Sequence, residues 1–397
     1  MRRKDIAALC LVITAAIPAC QGDSSGMLVA ANERSGTAAA DFCAAREPGR
    51  ILRADPSNFQ RTLSGLAPGD TLLLTPGNYP PLKIANLSGA PGRCITITGM
   101  AANRSAVVLG EIGNKTVEII DSSYIVVSNL VIDSRGLPGA DGIKASASPN
   151  PATHHIVLDG NLIIGAGASQ QTDGITTKTP TWNWVIRRNT ILSAGTALYL
   201  GDSDGTAPFI GGLIEDNLVV DPIGYGMQIK YQIERPVLAG MPEAAQITII
   251  RNNVFKKGDR PSPDGDRPNL LVGGFPDTGA GSNDLYQIYS NLLIENPREA
   301  LFQGSGRISF HDNVLIGGAP AAAVFRDHDL PLKFARVYDN KIYSPYIGIK
   351  FDSPAPQGIS VFDNVIVAET PLAGLIRSER GNLVSEAAGA ANRPPPR

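Results

Sequence analysis

Aromatic side chains make up only 6% of this 397-residue sequence, and long stretches of good helix formers are scarce. Such a chain has little to offer a helical bundle or a helical repeat. Charge of one sign is also missing. With 35 Lys and Arg against 37 Asp and Glu, there is no electrostatic reason to expect nucleic acid as a partner. Four His and four Cys are spread without any cluster of the two, so no zinc or copper pattern is present. The apolar run from Ile6 to Ala19 is too short to be trusted as a membrane span. No polar linker divides the chain beyond residue 40. What is abundant is glycine and proline, 42 and 30 residues, which punctuate a chain of many short turns.

The first twenty residues, MRRKDIAALCLVITAAIPAC, place a basic head before that apolar run and read as a targeting segment. Ile17, Pro18, Ala19 and Cys20 resemble a bacterial lipobox. The resemblance implies a signal peptide over 1–19 and acylation of Cys20. Through Gln21 it implies export to the outer membrane, with the domain facing periplasm or cell surface and touching the membrane by its lipid alone. An ordinary signal peptide cut near Cys20 is the alternative. Residues 20–40, rich in Ser, Gly and Ala, read as a flexible tether. Loss of residues 1–19 leaves 32 basic and 36 acidic groups. It also leaves Cys43 and Cys94 as the remaining pair in an oxidising compartment, where a disulfide between them is expected and two separate buried thiols are the alternative. Residues 381–397, ending in a proline run, read as a loose tail.

A repeat dominates the rest. A turn asparagine followed by apolar residues recurs at positions 129, 161, 189, 217, 253, 291, 313, 340 and 364, in stretches such as SNLVI, GNLII, DNLVV and DNVIV. The intervals of 32, 28, 28, 36, 38, 22, 27 and 24 residues fit one coil per repeat, with extra residues looping out of the longer ones. Three places before the asparagine stand Leu158, Ile186, Ile214, Ile250, Ile288, Phe310, Val337 and Val361. Several short strands per repeat predict an all-β, single-domain parallel β-helix over residues 41–380, with about eleven coils stacked ~4.8 Å apart. Its asparagines are expected to supply the turn dihedrals and to hydrogen-bond inward along the stack. Two places before them, Asp159, Arg187, Glu215 and Arg251 predict ion pairs between coils, the last pair being open to disturbance by the 36-residue interval. Tyr289, His311 and Tyr338 continue that column. Phe59, Leu63 and Leu66 predict a short helix capping the first coil, which TLLLTPGNYPPLKI then opens.

The segment GDTLLLTPGNY at 69–79, with that helix before it and asparagine-marked coils after it, resembles the entrance of the pectate-lyase-like superfamily. The resemblance implies a right-handed parallel β-helix with PbH1-type repeats. It leaves a choice among polysaccharide lyases, glycoside hydrolases, uronate epimerases, sugar-binding proteins and phage tailspikes. QQTDGITTK, with Asp173, is similar to the NTDG segment of polygalacturonase-like hydrolases, and GMQIK is similar to their RIK segment with Gln228 in place of arginine. Their GHG segment and paired aspartates are absent, which leaves one carboxylate where hydrolysis needs two. FRDHDL at 325–330 is similar to the DPHD segment of alginate epimerases without its proline. Arg326, Asp327, His328 and Asp329 suit either proton transfer or a loop that bonds to itself.

Elimination from a uronate needs a neutralised carboxylate, a base for the carbon-bound proton and a donor to the leaving oxygen. In the superfamily these tasks fall to Ca²⁺ or to positive side chains. Aligning DGIKA, DGITTK, TALYLG, GMQIK and ALFQG turns Ile143, Ile175, Leu198, Met227 and Leu301 inward, and Lys144, Thr176, Tyr199 and Gln228 outward. Lys178 and Lys230 then share a column two coils apart, roughly 10 Å. Lys178 or Lys230 is expected as base, Tyr199 or Tyr231 as donor, and the other lysine as carboxylate ligand, with Lys144, Asp173 and Gln228 binding substrate. Solvated lysines at strand ends are the plain alternative. Asp141 and Asp173 precede glycine in DGI segments and read as turn formers. Asp202 and Asp204 are candidate Ca²⁺ ligands, too few for a complete site. The leading expectation is a monomeric polysaccharide lyase acting on an acidic, uronate-containing glycan. A noncatalytic glycan-binding or envelope-structural β-helix follows, then a glycoside hydrolase or uronate epimerase.

Overall fold

A computed structural model describes residues 42–44, 49–100, 104–146, 148, 153–354, 358–376 and 378–386. The chain divides into a unit of residues 1–37 and a second from residue 38 onward. The first unit lies outside the described residues, as do Cys20, the rest of the tether to residue 40, and residues 387–397. Among the described residues no helix is long and apolar enough to cross a membrane.

Alternation of apolar and polar residues over short segments makes strands with one buried face. In Ile95–Thr98 the two isoleucines are buried, and in Thr71–Leu74 the buried pair is Leu72 and Leu74. The strands stack in parallel into three sheets of fifteen, eleven and twelve strands, a complete coil giving one strand to each, while the short strands Thr181–Trp182 and Phe209–Ile210 add to the fifteen-stranded sheet and the end coils are incomplete. Eleven coils place a strand in all three sheets, as expected, with an incomplete coil at each end of the stack. The apolar column before the asparagines forms the interior: Leu158, Ile186, Ile214, Ile250, Ile288, Phe310, Val337 and Val361 are all fully buried. Each such side chain contributes roughly 1.5–3 kcal/mol by leaving water.

The asparagine stack is continuous. Asn161 donates its backbone N–H and its side-chain amide to Asn189 Oδ1, both at 3.0 Å, and each asparagine repeats this toward the next through Asn217, Asn253, Asn291, Asn313, Asn340 and Asn364. Two expectations change here. The left-handed dihedral belongs to the residue before the ladder position, as at Gly160, Arg188 and Asp216, so that the asparagine is free to point inward. Asn129 is one of these turn residues, with φ 55, and fully buried Leu130 takes the ladder place, its N–H donating to Asn161 Oδ1 at 3.1 Å.

The ladder also runs further than expected. Asn364 donates to Asn382 Oδ1, and Leu383–Glu386 pairs with Val365–Ala368, so the tail assigned from residue 381 begins no earlier than residue 387. At the other end, Ile51–Ala54 pairs with Thr71–Leu74, so a strand precedes the helix Phe59–Ser64 that had been expected to precede the stack. Phe59 and Leu63 of that helix are buried against this first coil. The ion pairs Arg187–Asp159 (3.0 Å) and Arg251–Glu215 (2.7 Å) both form, and the 36-residue interval does not disturb the second. Its extra residues loop out before the pairing strands resume register. Tyr289, His311, Tyr338 and Phe362 continue the column as parallel rings 4.6–4.9 Å apart.

Cys43 and Cys94 form a disulfide. Closing a loop across 51 residues restricts the unfolded chain, so replacing both cysteines by alanine is expected to cost about 2–4 kcal/mol. A urea titration with and without the bridge measures it.

Candidate active site

The outer face of the eleven-stranded sheet carries most of the residues singled out. Strand register puts Lys144, Thr176, Tyr199 and Gln228 side by side on four successive coils, as expected. The column then runs through Leu271 to Gln303. The inward position opposite Met227 is therefore Leu270, followed by Phe302 and not Leu301. The strand Leu270–Val272 was left out of the alignment, which slipped it by one residue.

The recurrent DGI segments are not turns. Gly142 and Gly174 lie where a Cβ would come within 2.4 and 2.6 Å of a carbonyl oxygen on the next coil, so glycine permits close stacking. Asp141 Oδ1 accepts the Asp173 N–H at 2.9 Å, and Asp141 Oδ2 lies 3.1 Å from Lys115 and 3.5 Å from Lys144. Asp173 is buried beside this first carboxylate. Burial, and then the Asp141 charge, push its carboxyl up to about 7.

Lys178 follows on the same coil. Its ammonium lies 3.2 Å from the centroid of the Tyr199 ring, an attraction that favours the charged form. Burial works the other way and dominates, lowering the lysine below its usual range in spite of Asp173 and Asp202. Burial also raises the Tyr199 hydroxyl to about 12, so it carries its proton at neutral pH.

Tyr199 forms the edge of a cavity of about 190 Å³ lined also by Gln170, Gln171, Thr196, Tyr225, Gln228, Lys230 and Arg267. Sequence reasoning missed Gln170, Tyr225 and Arg267. The signal for Arg267 was the 38-residue interval that holds it. Its loop is anchored by Lys257, a buried ammonium donating to Gly224 O (2.7 Å) and Arg267 O (2.9 Å) and lowered by burial to about 8. Asn296 also donates to Arg267 O, at 2.9 Å, and the guanidinium lies 5.6 Å from the Tyr225 ring centre.

Other expected residues stand apart. Tyr231 lines neither this cavity nor the one beyond it, and a Cβ on Gly205 would lie 2.6 Å from its ring, so the ring packs on the 202–206 loop. Lys144 belongs to the Asp141 group. Asp202 Oδ1 accepts the Ser203 N–H, and Asp204 Oδ1 accepts both the N–H and hydroxyl of Thr206. These carboxylates stitch their own loop and do not converge as hard-cation ligands. Among the described residues no group of three or more His, Cys, Asp or Glu is arranged to hold a metal ion.

Asp173 makes one consequence measurable. A carboxyl raised in the fold stabilises the protein fully below its unfolded value near pH 4, and that contribution is lost as pH rises through about 7. Asp173→Asn is therefore expected to raise the melting temperature at pH 8 and to leave it nearly unchanged at pH 4, read by thermal melts at both.

No family model matches the chain, and no curated protein matches it in sequence. Among solved structures it is similar to the GH136 lacto-N-biosidase from Eubacterium ramulus, at 12% identity and TM-score 0.51 over 85% of this chain and 68% of that one. It is also similar to the PL6 family polysaccharide lyase Pedsa3628 from Pseudopedobacter saltans, at 13% identity and TM-score 0.50 over 87% and 94%. One of the two is named a biosidase and the other a lyase, so the likeness speaks for architecture and leaves chemistry to the residues. The described residues form a right-handed parallel β-helix, the fold that this likeness shows.

Proposed function

We propose that the protein is an exported polysaccharide lyase that cleaves a uronate-containing glycan by β-elimination on the outer face of the eleven-stranded sheet. The observation that carries this reading is the half-buried Lys178, lowered by desolvation and resting on Tyr199 at the edge of a cavity that also presents Lys230 and Arg267. Lys230 and Arg267 bind and neutralise the uronate carboxylate, which acidifies the neighbouring carbon-bound proton. Lys178 leaves the Tyr199 ring face, gives up its proton and takes the carbon-bound one. The electron pair of that C–H bond forms the new double bond and expels the glycosidic oxygen, which receives the Tyr199 hydroxyl proton. The Lys178 ammonium then returns a proton to the tyrosinate, closing the cycle. Asp173, whose buried carboxyl is raised and which interacts electrostatically with Lys178, exchanges protons with it in this reading. Among the described residues no group of carboxylates is arranged to hold calcium, and no step depends on one.

The test is the ultraviolet absorbance of the unsaturated uronate formed on incubation with acidic glycans. A rise that grows with pH and sets in below the usual lysine range, as desolvation of Lys178 favours its neutral amine, supports elimination. Saturable binding without any rise would favour a noncatalytic glycan-binding protein.

A further inference from the structure

Beyond the lysine-bearing cavity the groove opens into a second cavity of about 350 Å³, and the two share Tyr225 and Arg267. Register sets its floor. Gln228 pairs with Leu271 and Leu271 with Gln303, which places Gln303 two coils along the helix axis, about 10 Å. Gln228 is 3% exposed and Gln303 9%, each lining its cavity, and neither side-chain amide hydrogen-bonds to another of the described residues. Gln170, 4% exposed in the first cavity, also leaves its Oε1 unbonded. Buried polar atoms are ordinarily satisfied, and an unbonded Gln170 Oε1 in line with the cavity-lining amides of Gln228 and Gln303 points to a ligand that completes them. A carboxamide offers a donor and an acceptor side by side, the complement of neighbouring hydroxyls on a sugar ring.

The two cavities differ in charge. Lys230 and Arg267 make the first one cationic. The second gathers Asp266, Glu299, Asp327 and Asp329. Against them stand Arg267, whose guanidinium donates to carbonyls of its own loop, Arg326, and His328, which pairs with Asp329 at 2.9 Å. An excess of carboxylates repels a second uronate and suits a sugar that is neutral or bears an amino substituent.

We infer that this second cavity is a sugar subsite floored by Gln303 that takes an uncharged or amino-substituted residue. The natural substrate is then a heteroglycan in which uronates are interspersed with such sugars, and not a homopolymer of uronates. The identity of the first cavity as the uronate site rests on the lyase reading above.

The purified protein is assayed on hyaluronan and heparosan, in which uronates alternate with acetamido sugars, and on polymannuronate and polygalacturonate. Both unsaturated product and binding, by calorimetry, are recorded. The heteroglycans are expected to bind more tightly and to show at least about tenfold higher kcat/KM. Gln303→Leu, which keeps the volume among the apolar neighbours Leu271 and Val324, is expected to raise KM on them about tenfold with kcat little changed. Homopolymers bound or degraded as well as heteroglycans, a Gln303→Leu variant that binds as the parent does, or no binding to any of these polymers would overturn the subsite. If no polymer yields unsaturated product while the heteroglycan preference in binding persists and disappears in Gln303→Leu, elimination fails and the subsite stands.

Discussion

Replacing Lys178 by methionine is expected to lower kcat/KM for elimination by about 10²–10⁴-fold while the fold is retained, because the change removes a base and not a packing element. Lys178 is half-buried, and its desolvation is what makes the neutral amine accessible. Arginine at this position keeps the positive charge and the ring contact with Tyr199 but does not give up its proton in this range, so Lys178→Arg is expected to be as inactive as the methionine variant. A purely electrostatic role would instead be rescued by arginine. Lys230→Met, which removes a carboxylate ligand from the cavity wall, is expected to act mainly on KM. Steady-state kinetics on the four proteins separate these roles, and a Lys178→Arg variant with near-parental kcat would remove Lys178 as the base.

The largest effect on stability is expected in the middle of the asparagine ladder. Asn217 Oδ1 accepts the Asn189 N–H (3.0 Å) and the Asn189 amide (3.1 Å), and its own amide donates to Ile186 O (2.8 Å) and Asn253 Oδ1 (2.9 Å). Alanine at 217 leaves buried donors on Asn189 and a buried carbonyl on Ile186 without partners. At about 1–3 kcal/mol for each orphaned group, the variant is expected to lose about 3–5 kcal/mol. Aspartate is expected to do no better, since its carboxylate cannot donate to Ile186 O and would be buried as a charge. Asn129→Ala is the control. That residue lies outside the ladder and contributes a left-handed turn and one 3.2 Å bond to Thr98, so its loss is expected to cost about 1–2 kcal/mol. Denaturant midpoints for the three variants rank the sites, and an Asn129 variant as damaged as Asn217→Ala would contradict the register.

These pairs also explain which parts of the architecture could be read from residues. The apolar column from Leu158 to Val361 and the ladder asparagines recur at fixed offsets, because a parallel helix asks the same of every coil at the same place. Asn129 broke the pattern for a physical reason. Asparagine suits two neighbouring positions, the left-handed turn and the inward ladder, and only the register of Ser128 with Asp159 tells them apart. Phe302 was missed because the strand Leu270–Val272, at the end of the long loop after Asn253, carries no charged residue like the lysines used to align the other coils, so the column alignment stepped over it. The C-terminal coil at Leu383–Glu386 was lost although Asn382 marks it, because only two apolar residues follow that asparagine.

The candidate site was legible where it lies on strands and not where it lies on loops. Lys144, Tyr199 and Gln228 follow from strand register alone. Tyr231 sits just past a strand, where the loop turns its ring toward Gly205, and no periodicity encodes that turn. Arg267 reaches the cavity from the loop of the 38-residue interval through the bonds of its carbonyl to Lys257 and Asn296. Sequence length announced that loop without saying which of its residues would return to the groove. The perturbed carboxyl of Asp173 depends on burial beside Asp141 on the preceding coil, a relation that only the stacked structure supplies.

The measurement that bears most directly on the eliminative reading is the mass of the oligosaccharides released from a uronate-containing heteroglycan by the parent protein and by Lys178→Met. Elimination predicts fragments whose new non-reducing ends are lighter by one water molecule than hydrolytic ones, formed by the parent and absent with the variant. Fragments of hydrolytic mass, or unsaturated fragments formed equally by Lys178→Met, would contradict the account.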